Sequence, residues 1–511
     1  MAGGGKSAAG EAMHVVMLPW LAFGHISPFA QLARKLGSVE GGLRVTFLTA
    51  GGNLPRVEAM LASVVGAVSV VPLHLPHVPG LPEGAASTAE LTADAAELLK
   101  VALDGTRAQV SALLSELHPD AMLIDFSTPW VCDIAAPLGV KVLHFSVFSA
   151  AAGAYTVVPA RCLHGAPPPS ARDLMSAPAG FPEGSALATI PAYQAADLTY
   201  IFTSFDGQPC VYDRALAGIK ACDGIVMKSC AEMEGPYINY LSTEFGRPVL
   251  LAGPVVPDPP QGELEERWAN WLSSFPENAV VFASFGSETF LPAAEATELL
   301  LGLEATNRPF LAVLNFPKGA DMEAELQARI PSGFEERVKG RGVVHTGWVQ
   351  QQHILRHRSV GCYLNHAGFS SAVEGLVAGC RLVLLPMKGD QYLNAALLAR
   401  ELRVGVEVTR RGEDGWFGRQ DVSDAVALAV ADGGEGERGK WREFLTDDAV
   451  QKRGHGEHRP SPHRLQSSNR QHHQPEQEGN HGRHWMRSQW QQDPPEECWA
   501  FPLPLLLHGR N

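Results

Sequence analysis

The sequence predicts an α/β chain: two doubly wound, Rossmann-like parallel-sheet domains facing one cleft, with a low-complexity tail after them. Three observations predict it. Short apolar strands alternate with helical stretches along most of the chain, the pattern of parallel β/α units. A stretch with four prolines in ten residues, GPVVPDPPQG at 253–262, stops regular structure and stiffens the chain between two such sets. The length of 511 residues exceeds one ordinary hydrophobic core, so the chain divides.

Residues 1–12 read as a flexible N-terminus, and MAGGGKSAAGE lacks the apolar run of a signal peptide. The first domain, 13–252, opens with an apolar strand at 14–19. A turn follows, then a helix at 28–36 in which Phe29, Leu32, Ala33 and Leu36 share one face. Strands follow at 45–49 and 68–73, a long helix at 87–117, and strands at 121–124 and 140–145. Two Pro/Gly-rich stretches, 165–169 and 178–184, mark a surface loop. After the 253–262 linker the second domain, 263–450, brings strands at 279–285, 310–314, 342–345, 360–364 and 382–385. The stretch 441–450 starts as a helix. From 451 to 511 apolar periodicity is absent and eight of the nineteen histidines accumulate. That composition buries too little apolar area to offset ordering entropy, so disorder is expected. A His-rich metal site is the sharper reading of the tail, but the irregular spacing fits it poorly. A shifted reading frame or retained intron would produce such a switch.

Composition excludes several classes of function. A formal charge of −14 argues against nucleic acid or an anionic membrane surface as partner. Apolar runs fall short of the roughly 20 residues of a membrane helix, so no membrane insertion is expected. Eight cysteines are scattered without a C-x-x-C pair, so free buried thiols and a cytoplasmic location are the expectation.

The segment from Trp348 to Gln391, WVQQQHILRHRSVGCYLNHAGFSSAVEGLVAGCRLVLLPMKGDQ, carries most of the chemistry. After its first strand, His366, Gly368, Ser370 and Ser371 precede a helical stretch through Glu374. Small residues and hydroxyls at a helix N-terminus leave backbone N–H groups free for a phosphate. Glu374, one turn in, can accept hydrogen bonds from ribose hydroxyls. Asp390 and Gln391 pair an acceptor and a donor suited to sugar hydroxyls. Together they read as a cradle for a nucleotide sugar.

The segment resembles the secondary-product glycosyltransferase box of plant family 1 UDP-glycosyltransferases. Trp348 stands first in it, Gln351 fourth, His366 nineteenth, Glu374 twenty-seventh and Gln391 forty-fourth. Where that family usually has Trp-Asn, this chain has Phe369-Ser370, and Ala367 stands where Cys is frequent. Phe followed by a small residue resembles the branch that glycosylates sugars already attached to flavonoids or terpenoids. The resemblance implies a GT-B fold across roughly 13–449, with the Pro/Gly-rich loop near the acceptor. The donor site it implies comprises Ser287, Trp348, Val349, Gln351, His366, Gly368, Ser370, Ser371, Glu374, Asp390 and Gln391. Trp348 would stack on uracil rather than sit in a core, and Ser287 would contact the donor phosphate rather than merely turn the chain. The resemblance also places a C-terminal helix across the first domain.

His25 lies in FGHISP, directly after the first strand. A lone histidine there is ordinarily a helix cap. The end of a first parallel strand, however, faces the ligand crevice, and the family's catalytic base occupies the matching position. Asp125, ending strand 121–124, would orient the imidazole. Two decoys fail. The run 434–439 matches G-x-G-x-x-G but follows a helix and carries acidic side chains, and it reads as a loop. No D-x-D occurs, so no metal and no cofactor are expected beside the UDP-sugar donor. The reading is therefore an inverting, metal-independent transfer of a sugar from UDP to a hydroxyl of a small hydrophobic or glycosylated metabolite such as a flavonoid, anthocyanin or terpenoid. Gln391 favours glucose through the resemblance. The rival is a non-catalytic UDP-sugar binder disabled by its C-terminus. A dinucleotide oxidoreductase is disfavoured because no fingerprint follows the first strand.

Overall fold

Among the described residues, thirteen parallel strands form two sheets whose orders repeat one plan. The structure, a computed structural model, describes residues 13–38, 43–162, 166–317, 319–431, 436–447 and 450. The expectations for 1–12 and 451–511 lie outside the described residues.

The first sheet holds β1 (His14–Leu18), β2 (Arg44–Ala50), β3 (Val68–Leu73), β4 (Ala121–Ile124), β5 (Lys141–Ser146), β6 (Gly224–Met227) and β7 (Val249–Leu251), in the order β3-β2-β1-β4-β5-β6-β7. The second holds β8 (Val280–Ser284), β9 (Phe310–Leu314), β10 (Gly342–Thr346), β11 (Val360–Asn365), β12 (Arg381–Leu384) and β13 (Gly405–Glu407), in the order β10-β9-β8-β11-β12-β13. In each, the chain winds outward one way from its first strand and then returns to wind the other way. The reversal opens a crevice between β1 and β4 in one sheet and between β8 and β11 in the other, where such folds bind ligands. The central strands are wholly buried, as in Val15 to Leu18 and Val280 to Ala283, because helices cover both faces.

The helices framing the cleft are α1 (Phe23–Gly37), α2 (Ala93–Asp104), α3 (Arg107–Leu117), α4 (Ala150–Thr156), α5 (Val211–Ala221), α6 (Ala231–Phe245), α7 (Gln351–Arg356), α8 (Phe369–Val377), α9 (Asp390–Ala396) and α10 (Gly436–Thr446). Several expectations need correction. The helix expected from residue 28 begins at Phe23, because the N–H groups of His25 and Ile26 already bond the Ala22 carbonyl at 2.8 Å. The long helix expected over 87–117 is two helices. Thr92 caps α2 through the N–H of Ala95, and Thr106 turns its hydroxyl back to the Leu103 carbonyl at 2.7 Å. Gly105 sits at that break, where an added Cβ would lie 2.5 Å from Pro76. Strands β6, β7 and β13 add to the predicted set. The decoy run is not a loop where it is described: Gly436 to Gly439 form the first turn of α10. That helix buries Leu445 and packs on α8 in the second domain.

The domains are bolted together by polar contacts. Glu401 accepts from Ser185 Oγ, the Ala186 N–H and Tyr237 Oη at 2.7–2.9 Å. Asp197 accepts the Gly389 N–H at 2.7 Å. The Pro/Gly-rich stretch 178–184 packs Phe181 against Tyr155, Tyr237 and Tyr240. Of the described residues, the cysteines are free and, Cys162 apart, buried.

Candidate active site

His25 and Asp125 meet at the crevice of the first sheet. Asp125 directly follows β4, and His25 stands in the first turn of α1, so the reversal of strand order brings together residues 100 positions apart. His25 Nδ1 lies 2.8 Å from Asp125 Oδ2. The carboxylate also accepts the Trp20 N–H at 3.0 Å and the Phe126 N–H at 2.7 Å. These contacts fix Nδ1 as the protonated nitrogen and leave Nε2 as the free basic one. Phe126 and Phe148 flank the ring, with centroids 5.6 and 5.2 Å away. Burial alone would lower the His25 pKa. Asp125, helped by Glu288 and Asp390, outweighs it and holds the pKa above the ordinary value. For Asp125, burial pushes up, but His25 and the two N–H groups win and hold it below the ordinary range. Both directions have one cause, the contact between the two side chains.

Beside the pair lies a pocket of the first domain. Its walls are mainly apolar, with Phe148, Ile201, Ile225, Met227 and Leu241 among them, and Asp390 reaches in from the other domain. His144 lines it as well. Burial holds that imidazole down to about 4, so it is neutral.

The second crevice holds the cradle. His366 follows β11 and faces the turn after β8. An added Cβ would lie 3.0 Å from its ring at Gly286 and 2.6 Å from it at Gly368, so both glycines let the imidazole sit against the backbone. Ala367 adopts φ +60°, a left-handed value uncommon for a side-chain-bearing residue. Asn365 Oδ1 holds its N–H at 2.9 Å. Burial, with the charge of Lys388, lowers His366 to about 4. Gly368 caps α8, placing Ser370 and Ser371 in the first turn, where helical N–H groups lack internal acceptors.

Glu374, one turn on, accepts from Gln351 Nε2 at 2.8 Å and Gln352 Nε2 at 3.4 Å. Gln351 also takes a hydrogen bond from Ser284 Oγ at 3.2 Å. Trp348 is 70% exposed while Val349 is buried, so the indole is an open platform and not a core residue. Ser287 lies exposed in the turn after β8. Asp390 opens α9, tied to Asn394 Nδ2 at 2.9 Å. Gln391 is buried and internally bonded: its Oε1 accepts the N–H groups of Met387 and Lys388 at 3.0 and 3.2 Å, and its amide nitrogen lies 3.5 Å from Thr289 Oγ1.

Sequence reasoning missed Lys228 and Asn394. Asn394 is buried and bridges Ser149 Oγ, the Ala367 carbonyl and Asp390, so it ties the first domain to the cradle turn. Its place one helical turn after Asp390 was the available signal. Lys228 follows β6 and donates to Ser370 Oγ at 2.6 Å. A lysine closing an apolar strand could have been flagged, but nothing in the sequence showed what it meets.

A polar cradle and a buried histidine–carboxylate pair, facing each other between two doubly wound sheets, define a nucleotide-sugar glycosyltransferase of the GT-B class. Comparison with known proteins makes the assignment specific. The family described as UDP-glucoronosyl and UDP-glucosyl transferase matches residues 223–414. The chain is 50% identical over 449 residues to the anthocyanidin-3-O-glucoside rhamnosyltransferase of Petunia hybrida, covering 86% of this chain and 94% of that one. It is 45% identical over 454 residues to UDP-glycosyltransferase 79A2 of Stevia rebaudiana, covering 87% and 96%. Among solved structures, Arabidopsis thaliana UGT89C1 complexed with UDP-L-rhamnose superposes with a TM-score of 0.65 at 25% identity, covering 86% of this chain and 96% of that one. The chain belongs to the UDP-glycosyltransferase family and is a plant-type member of it.

Proposed function

We propose that the enzyme transfers a sugar from a UDP-sugar, with inversion and without a metal, to a hydroxyl of a flavonoid-type phenolic that already carries a sugar. The observation that carries this reading is the His25–Asp125 pair at the edge of a largely apolar cavity that Asp390 of the donor domain also lines. His25 Nε2 takes the proton of the acceptor hydroxyl, and Asp125 stabilises the imidazolium that forms. The acceptor oxygen then attacks the anomeric carbon in line, and the bond from that carbon to the diphosphate oxygen breaks. UDP leaves towards the N-terminus of α8, Ser370, Ser371 and the neutral His366, where helix N–H groups meet its charge. Glu374 holds the ribose and Trp348 stacks on the base.

A phenolic glycoside as acceptor is supported by the printed names of relatives, which include the rhamnosyltransferase above and an anthocyanidin 3-O-glucoside 2''-O-glucosyltransferase of Ipomoea nil, 38% identical. Gln391 favours glucose as the donor sugar, whereas those names span rhamnose and glucose. A non-catalytic binder is not favoured, because the base pair and the cradle are both assembled.

The test is turnover with UDP-glucose, UDP-rhamnose and UDP-xylose against flavonoid aglycones and their 3-O-glucosides. The expected product carries a new sugar-to-sugar bond. Transfer to aglycones alone would overturn the acceptor assignment. The pH profile adds a second check. His25 works as the neutral form, and its pKa is held above 6.5, so kcat/KM should fall with acid along a limb lying above that value. Replacing Asp125 by Asn removes the raising partner and should move the limb down. An unmoved limb would exclude His25 as the base.

A further inference from the structure

The donor cradle belongs to the second domain, yet a charge from the first domain reaches into it. Lys228 follows β6 and is 1% exposed. Its N–H bonds the Ser146 carbonyl at 3.1 Å, anchoring the backbone to the sheet. Its ammonium then crosses the cleft and donates to Ser370 Oγ at 2.6 Å. Ser370 and Glu374 stand four positions apart, on the same face of α8. Lys228 therefore lies along the row that runs from the helix N-terminus to the ribose-side carboxylate. The charged groups facing it are Glu374 from α8 and Lys35 from α1.

Burying an ammonium is costly unless something compensates, and a lone neutral hydroxyl compensates only partly. Burial accordingly brings Lys228 down to about 8, with Lys35 pushing the same way and Glu374 opposing both. A site arranged in this way gains from an incoming anion. The hydrogen bond also has a direction. Because the ammonium can only donate, Ser370 Oγ accepts, and the hydroxyl proton of Ser370 is left to donate elsewhere.

We propose that Lys228 completes the donor site from across the domain boundary, orienting the Ser370 hydroxyl towards a diphosphate oxygen and placing a positive charge behind it. It is a positioning residue, acting on the diphosphate through Ser370. It deepens the reading of α8 as the diphosphate end of the donor site, and it rests on that reading. One consequence is that donor binding draws the acceptor domain onto the cradle, since the two halves of this contact belong to different domains. A second is a pH signature. A bound anion favours the ammonium, so the site takes up a proton on binding where Lys228 is partly neutral, and affinity falls as pH rises through about 8.

The experiment is calorimetry of UDP-glucose binding to the full chain at about pH 7 and about pH 9, in buffers of differing ionisation enthalpy. UDP-glucose is the probe because its diphosphate, esterified at both ends, has no proton to gain near neutral pH. The measurements are made in a His25→Ala background so that the imidazole contributes no protons. Wild-type Lys228 should show proton uptake at the higher pH and weaker binding there. Lys228→Met should bind about tenfold or more weakly at pH 7, with no proton uptake. Lys228→Arg should bind with an affinity flat across this range. Ser370→Ala, combined with Lys228→Met, should weaken binding no further than either change alone, since the two act as one unit. Unchanged affinity and proton uptake in Lys228→Met, or strict additivity with Ser370→Ala, would overturn the proposal. If Lys228→Met does not fold, Lys228→Arg and Ser370→Ala decide the matter by the pH dependence alone. Failure of UDP-glucose to bind the protein with Lys228 intact would instead sink the donor-site reading itself.

Discussion

His25 and His366 both stand at the crevice of a doubly wound sheet, and the protein drives them in opposite directions. The two sheets share a strand order, and the imidazoles lie on opposite sides of the crevice it opens, His25 after the first strand of its sheet and His366 after the fourth. The difference comes from what faces each ring. His25 has a buried carboxylate at 2.8 Å and is held above the ordinary pKa. His366 has two glycines against it and no carboxylate among the groups that set its pKa, which burial takes to about 4. The first can accept a proton near neutral pH. The second stays neutral. A fold supplies crevices; the charges packed around them assign the chemistry.

The largest break in this comparison comes from His25→Ala. Turnover on hydroxyl acceptors should fall by about 10²–10⁴, the usual worth of a positioned base, while UDP binding stays nearly intact. Steady-state kinetics alongside UDP calorimetry separates the two. Equal loss of rate and UDP affinity would show that His25 supports the fold of the cleft, and the contrast between the crevices would collapse.

On the donor side, Glu374→Ala should weaken UDP binding by about 1.5–3 kcal/mol, because charge-assisted hydrogen bonds to ribose hydroxyls disappear. The geometry sharpens this expectation. Gln351 already donates to Glu374 at 2.8 Å, so the substitution also strands that amide, and Glu374→Gln separates the two effects. If Glu374→Gln binds UDP like the unmodified protein, the negative charge has no part in holding the ribose.

The two crevices were not equally legible in the sequence. The cradle is local: Trp348 to Gln391 lie within one stretch, so spacing alone placed His366, the serines and Glu374 around one helix N-terminus. The dyad depends on residues 100 positions apart, and only the alternation of strands and helices, with the resemblance, put Asp125 beside His25. Phe310–Leu314 was legible to the residue because a buried parallel strand is a continuous apolar run, and the partly buried edge strand Val68–Leu73 because its valines mark it. The short edge strand β13 was not, since its three residues are all only partly buried. The break at Gly105 was missed because the close approach of Pro76 that it permits is a tertiary fact. Lys228 and Asn394 escaped for the same reason. Each acts on the opposite domain, and no pattern within a single element records a partner 142 or 245 positions away.

Trp348 gives the smallest effect and the cleanest separation of binding from folding. Its side chain is 70% exposed, whereas its neighbour Val349 is buried. A large aromatic left open beside polar residues adds little to the core, so Trp348→Ala should leave the melting temperature unchanged within error. The indole is nevertheless the flat surface on which the base would stack, an interaction worth about 1–3 kcal/mol per base. UDP affinity should fall by an amount in that range, and Trp348→Phe should recover part of it. The loss should be the same for UDP and for uridine, because stacking engages the base and not the phosphates. A variant that melts lower but binds UDP normally would place Trp348 in the scaffold, and the cradle would then have to hold the nucleotide through Glu374 and the helix N-terminus alone.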